Sequence, residues 1–348
     1  MVTPTPGRRG SSHHGGRRSV LMLSAALLLC CLLFARPAAA SVGDRLPEFR
    51  ECVKICETEN CGPDADHHTP IPLHRRLLLW TCPAECDHTC QHIITDQRLS
   101  TVPPPAEGPV VQFHGKWPFH RILGIQEPAS VLFSAGNFWA HLAGLRKLRE
   151  HVPAAYPLRG FYVGVAYVSM AAWTFSVVFH TRDFAATEQL DYFGAGASVL
   201  YGLYYTAVRL LRLERKTPGA ARALRAWTGV CVGLYVMHVA YLKLWAWDYT
   251  YNMAANVVVG AVQNAMWTWY SVGRYRKSGR GWMAWPGVAV AWILGAMSLE
   301  LLDFPPVMGV LDAHSLWHLM TIAPTVLWYN FLVRDALDDI SGTERLKN

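Results

Sequence analysis

Seven apolar runs of helix-spanning length, at 128–145, 158–180, 192–211, 227–244, 251–272, 285–302 and 315–333, fill the last two-thirds of this chain. The hydrocarbon core of a bilayer offers no water to backbone N–H and C=O groups, so a crossing segment must satisfy them internally; a helix of about twenty residues does so. The expectation is therefore an all-α membrane protein, a seven-transmembrane helix bundle. Composition agrees, since 52% of the residues are hydrophobic and only 16% charged, with fourteen Trp and fourteen Tyr to occupy the interfaces.

The chain before the first run divides in two. Arg8, Arg9, Arg17 and Arg18 precede a short apolar core, and Ala38-Ala39-Ala40 follows it, the order of a secretory signal peptide spanning 1–40. Residues 41–126 then carry six of the nine cysteines: Cys52, Cys56, Cys61, Cys82, Cys86 and Cys90. An even set in an exported segment reads as a disulfide framework, and six cysteines allow fifteen pairings that sequence does not separate. His67, His68, His88 and His92 lie nearby and leave a zinc knuckle as the lesser reading. The expected organisation is a signal peptide, a small disulfide-rich lumenal segment (41–126), the bundle (127–333) and a cytosolic tail (334–348).

Cleavage near Ala40 puts Ser41 in the lumen, so the first span runs from lumen to cytosol. The positive-inside rule tests that assignment. The connections assigned to the cytosol hold fourteen basic residues: Arg146, Lys147, Arg149, Arg159, Arg209, Arg212, Arg215, Lys216, Arg222, Arg225, Arg274, Arg276, Lys277 and Arg280. Those assigned to the lumen hold two, Arg182 and Lys243. The net charge of +7 thus belongs to membrane orientation and does not point to nucleic acid.

This topology gathers polar residues at one depth. Ser176 and His180 close the second span, Asp191 opens the third, and His314 and His318 open the seventh, all near the lumenal face. The pairs Ser176/His180 and His314/His318 are four apart, so each shares a helix face. Histidine in a membrane is costly to leave unpaired and marks function by default. Three imidazoles hold zinc with a fourth position open, and zinc brings the pKa of its water to about 7. Asp191 then serves as general base, and Ser176 donates to the developing oxyanion or fixes Asp191. Asp312 is a candidate outer partner for a histidine ring. A second reading makes Ser176 a nucleophile with a histidine base and Asp191 as orienter, which leaves the His314/His318 pair unexplained. Asn137 and His141 read as interhelical hydrogen bonding, and His238 as packing.

The Ser-x3-His at Ser176–His180, Asp191 and the His-x3-His at His314–His318 resemble the pattern of the CREST superfamily, whose seven-helix bundles hold zinc through three histidines. With the cysteine-bearing segment and Gly136-Asn-Phe-Trp-Ala-His141, the chain is most similar to the post-GPI-attachment-to-proteins, or Per-like, phospholipases of that group. The resemblance implies a Golgi hydrolase (the endoplasmic reticulum being the other compartment open) that removes the sn-2 acyl chain of GPI-anchored proteins, a phospholipase A2 activity with zinc as cofactor. Two alternatives stay open: a ceramidase-like amide hydrolase, and a non-enzymatic receptor or scaffold stabilised by zinc.

Overall fold

The computed structural model describes residues 41–62 and 70–345; the expected signal peptide, together with His67 and His68, lies outside them. Every regular element described is helical, with no strand among the described residues and three isolated bridges closing tight turns. The elements are α1 (Val42–Arg45), α2 (Pro47–Asn60), α3 (Leu73–Leu77), α4 (Cys82–Ser100), α5 (Pro128–His151), α6 (Arg159–Thr181), α7 (Ala185–Leu210), α8 (Pro218–Ala240), α9 (Tyr249–Ser278), α10 (Trp285–Leu302) and α11 (Ala313–Arg345).

Helices α2 and α4 form an antiparallel hairpin with a nested ladder of disulfides, Cys52–Cys90, Cys56–Cys86 and Cys61–Cys82. Cys52 and Cys56 are four apart on α2 with Cys61 just past its end, Cys82, Cys86 and Cys90 are four apart on α4, and antiparallel packing of these faces pairs first with last. All six thiols are consumed, so the zinc knuckle has no cysteine ligands left. Phe49, Ile94, Val111 and Phe113 fill the small core beside the ladder. Replacing Cys52 and Cys90 together by alanine is expected to remove about 2–5 kcal/mol of stability, read as a lower melting temperature of the purified chain.

Helices α5, α6, α7, α9, α10 and α11 pack in a closed ring in the order α5–α6–α7–α9–α10–α11, while α8 stands outside and packs on α7. Only 6% of the most apolar stretch of α8 is buried, which suits a helix facing lipid on most sides. Four helices are long and apolar enough to cross a membrane by length and composition: Arg159–Thr181, Pro218–Trp245, Gly281–Glu300 and Ala313–Gly342. Helices α5, α7 and α9 fall short because they carry polar side chains into the ring, such as Ser134, Asn137 and His141 on α5 and Asn252 and Asn256 on α9.

The two ends of the ring differ. The end away from the disulfide layer holds the apolar core, with Leu148, Tyr162, Tyr205, Trp267, Tyr329, Phe331 and Leu332. Gly144 lets α5 approach α11 there, since a Cβ would lie 2.2 Å from the Tyr329 ring. At the same end Arg209 donates to both oxygens of Asp335 at 2.7 and 2.8 Å, and Tyr270 and Tyr162 donate to them at 2.7 and 3.0 Å. Asp335 and Ala336 are buried, and α11 runs on to Arg345. Residues past Val333 thus continue the last helix, and Asp335 on it accepts from Tyr162 of α6, Arg209 of α7 and Tyr270 of α9.

Pro324 interrupts the hydrogen bonding of α11, leaving the Met320 carbonyl without its i+4 amide. Trp292 Nε1 of α10 donates to that oxygen at 2.9 Å. The helix thus crosses its proline with the orphaned acceptor satisfied by a neighbour.

Candidate functional site

The opposite end of the ring, beneath the disulfide layer, brings three histidines together. His180 comes from the last turn of α6, and His314 and His318 from the first two turns of α11. A ring nitrogen of each lies within 4.8 Å of those of the other two. Ring centroids are 5.2 Å apart for His180–His314, 5.1 Å for His180–His318 and 4.6 Å for His314–His318.

What orients these rings is a partner on each Nδ1. His180 Nδ1 lies 2.7 Å from Glu127 Oε2, and His314 Nδ1 lies 2.8 Å from Glu300 Oε2. His318 Nδ1 lies 2.9 Å from Ser134 Oγ and 3.4 Å from the Ser130 carbonyl. A carboxylate and a carbonyl only accept, so each Nδ1 carries a proton, and in the neutral ring Nε2 is the nitrogen left to bind a cation. That is the tautomer a zinc-class cation requires, and an outer acceptor on each ligating imidazole is how such sites fix ring orientation. The donor set fits zinc: three imidazoles, buried or half-buried, with outer hydrogen bonds in place.

Further contacts extend the arrangement. Lys116 bridges Glu127 and Asp183, 3.0 Å from the latter, and lies over the Phe179 ring at 4.0 Å. The backbone reinforces the junction, since Glu127 N donates to His180 O and Gln126 N to Thr181 O, both at 3.0 Å. Ser134 Oγ also meets Ser176 Oγ at 3.0 Å. With its oxygen accepting from His318 Nδ1, Ser134 directs its own proton to Ser176. The Ser130 hydroxyl is buried in the same region without a hydrogen-bond partner.

The residues expected from sequence therefore fall into distinct positions. His180, His314 and His318 converge. Asp191, half-buried in the second turn of α7, lies in electrostatic range of His180 and His314, and no hydrogen bond engages its carboxylate among the described residues. Ser176 is buried and reaches His318 only through Ser134, so no histidine nitrogen sits beside its hydroxyl to activate it. Asp312 has a different occupation from the one expected: its Oδ1 accepts from Ser315 N at 2.8 Å while Ser315 Oγ accepts from Asp312 N at 3.0 Å. It caps α11, because two residues before His314 it stands at the helix start. Glu300 and Glu127 hold the histidine rings instead. Glu300 left one signal in the sequence, a carboxylate in the last turn of a wholly apolar helix; Glu127 and Ser134 left none. Asn137 and His141 make the interhelical bonds expected of them, Asn137 Nδ2 to His318 O at 2.7 Å and His141 Nδ1 with Tyr329 Oη at 2.8 Å.

Because Glu300 fixes His314, Glu300→Gln is expected to weaken zinc binding by roughly 10–100-fold, measured by competition against a chromogenic chelator.

A profile of the Per1-like family matches residues 72–336. Protein PER1 homolog of Schizosaccharomyces pombe is 39% identical over 313 residues, covering 90% of this chain and 92% of its own length. A protein named GPI-specific phospholipase A2-like PGAP3 is 42% identical over 304 residues in Cricetulus griseus and 40% identical over 303 in Homo sapiens, each covering 86% of this chain and 91% of the relative. A family match across residues 72–336, with relatives about 40% identical over most of the chain, makes this chain a member of the Per1-like family.

Proposed function

We propose that this protein is a zinc-dependent phospholipase A2 that removes the sn-2 acyl chain from the lipid of GPI-anchored proteins. In this reading α5 to α11 are seven spans, the disulfide layer faces the Golgi lumen, and α11 ends in the cytosol. The observation that supports it furthest is the convergence of three imidazoles, a ring nitrogen of each within 4.8 Å of the others, with each ring held through Nδ1 by Glu127, Glu300 or Ser134. The name that these relatives carry supplies the substrate class. A GPI lipid hangs in the lumenal leaflet with its acyl esters just below the headgroups, the depth of the first turns of α5 and α11.

His180, His314 and His318 would hold the zinc, which when bound supplies a Lewis acid for the ester carbonyl and acidifies neighbouring water. Asp191 takes a proton from the attacking water and returns it to the departing alcohol. The ester C–O bond breaks as the water oxygen bonds to the acyl carbon, giving a fatty acid and a lyso-lipid. Ser134 and Ser176 keep His318 in its ligating tautomer, and Glu127 and Glu300 do the same for the other two rings. The serine-nucleophile reading loses ground because Ser176 contacts Ser134 and not an imidazole.

The test is mass spectrometry of GPI acyl chains in cells lacking the protein, rescued with wild type or Asp191→Asn at equal abundance. Wild type should restore saturated sn-2 chains, and the variant should fall short by roughly 10²–10⁴ in hydrolysis rate. Full rescue by the variant removes Asp191 from the mechanism. No rescue by wild type removes the GPI substrate, and the ceramide-amidase and scaffold alternatives are then separated by assaying ceramide hydrolysis.

A further inference from the structure

Among the described residues outside the site just described, a second cluster of imidazoles converges on a single point, in the disulfide layer. His88 and His92 lie one turn apart on α4 with their Nε2 atoms 3.2 Å from each other. Both also lie against the carbonyl oxygen of Phe119, at 3.2 Å from His88 and 3.1 Å from His92. The three atoms form a nearly equilateral triangle. Behind it the His120 ring stacks on His92 at 4.7 Å with an 8° interplanar angle.

Protons serve this triangle poorly. The Phe119 oxygen carries none, and a neutral imidazole carries one, on either nitrogen. With both Nε2 atoms protonated, the oxygen accepts twice, but from nitrogens only 3.2 Å apart, so the two polar hydrogens are crowded together. With one protonated, the other Nε2 turns a lone pair on the carbonyl oxygen. With neither, three lone pairs face inward. A cation at the centre is attractive to all three atoms. The size agrees: a Zn–N length of 2.0–2.1 Å sets tetrahedral ligands about 3.3–3.4 Å apart, a few tenths of an ångström beyond the edges here.

We propose that His88, His92 and the Phe119 carbonyl bind a divalent first-row transition cation of the zinc class, with water completing its coordination. Imidazole favours zinc, copper and nickel over calcium or magnesium. Two cations act on His88, Arg121 and Arg75, and Glu85 engages both, Arg121 at 3.0 and 2.8 Å and Arg75 at 2.9 Å. Both histidines are half-buried, so the ion exchanges with the surrounding solution. The site joins α4 to the segment that carries Lys116 and Glu127, so the ion would clamp the disulfide layer onto the bundle. The inference is independent of the hydrolase reading, because it shares no ligand with His180, His314 and His318.

The test uses the full-length chain in detergent, stripped with chelator and reloaded with Zn²⁺ or Co²⁺ alone. A His314→Gln/His318→Gln chain should still take up one equivalent of Zn²⁺, gain melting temperature on its addition and show a visible Co²⁺ absorption band. Adding His88→Gln and His92→Gln should abolish all three responses, while the chain keeps the melting temperature of its stripped parent. If the His314→Gln/His318→Gln chain shows no Co²⁺ band and no Zn²⁺-dependent rise in melting temperature, the site does not exist. If those responses persist after His88→Gln and His92→Gln, the ion is held elsewhere and the assignment falls. Neither result bears on zinc at the three converging histidines, which is read from wild type and His88→Gln/His92→Gln chains.

Discussion

His318→Ala is expected to lose bound zinc from the converging histidines and to lower GPI-lipid hydrolysis by roughly three orders of magnitude or more. His318 is 4% exposed and sits at the centre of the arrangement, within about 5 Å of both other rings. Its removal leaves two imidazoles, too few for a stable site, and frees Ser134 from the bond that sets the tautomer. Lewis-acid stabilisation is worth several kcal/mol, and each 1.36 kcal/mol is tenfold in rate, which gives about that loss. The check is metal content by mass spectrometry alongside acyl release from a purified GPI lipid. Unchanged hydrolysis in a chain that has lost the metal would remove zinc from the reaction.

Asp335→Ala is expected to cost about 3–5 kcal/mol of stability, the loss that follows when one partner of a buried ion pair is deleted. Asp335 is 1% exposed and accepts from Arg209, Tyr162 and Tyr270, three helices meeting on one carboxylate. Deleting it leaves the buried Arg209 guanidinium without its carboxylate, held by the Tyr270 hydroxyl at 3.2 Å. Replacing both members, as Arg209→Met with Asp335→Leu, should recover much of the loss, since an apolar pair carries no desolvation penalty. Melting temperatures of the single and double variants in one detergent decide the matter. A double variant no more stable than the single would show that the tyrosine hydroxyls, and not the charge, govern this end.

The helical architecture was legible because membrane helices announce themselves by length and apolarity, and the histidines because two i, i+4 pairs occupied one predicted depth. The disulfide pairing was not, since i, i+4 spacing fixes a face but not which helix direction it meets. Glu300 stood in a row with Asp303 and Asp312, and nothing in the sequence ranks three carboxylates around one turn. The fold separates them: Asp303 accepts from Gln112 Nε2 and Trp117 Nε1, Asp312 caps a helix, and Glu300 reaches His314. Glu127 was silent for another reason. A glutamate before a helix-opening proline is ordinary N-terminal charge, and only the α5–α6 junction turns it towards His180. Helix starts were also set too late on α7 and α8, where polar residues at 185–191 and 218–226 begin the helix before its apolar run.

Helix α11 carries His314 and His318 in its first two turns and Asp335 about 25–32 Å further along at 1.5 Å per residue, with the Pro324 break between them. Inherited or engineered changes along this one helix should therefore sort by position. Before the proline they leave a chain of normal abundance that cannot turn over its lipid. After it they yield a chain that is cleared by quality control while its chemistry is intact. Abundance and activity, measured separately, would then read out the position of a lesion along α11.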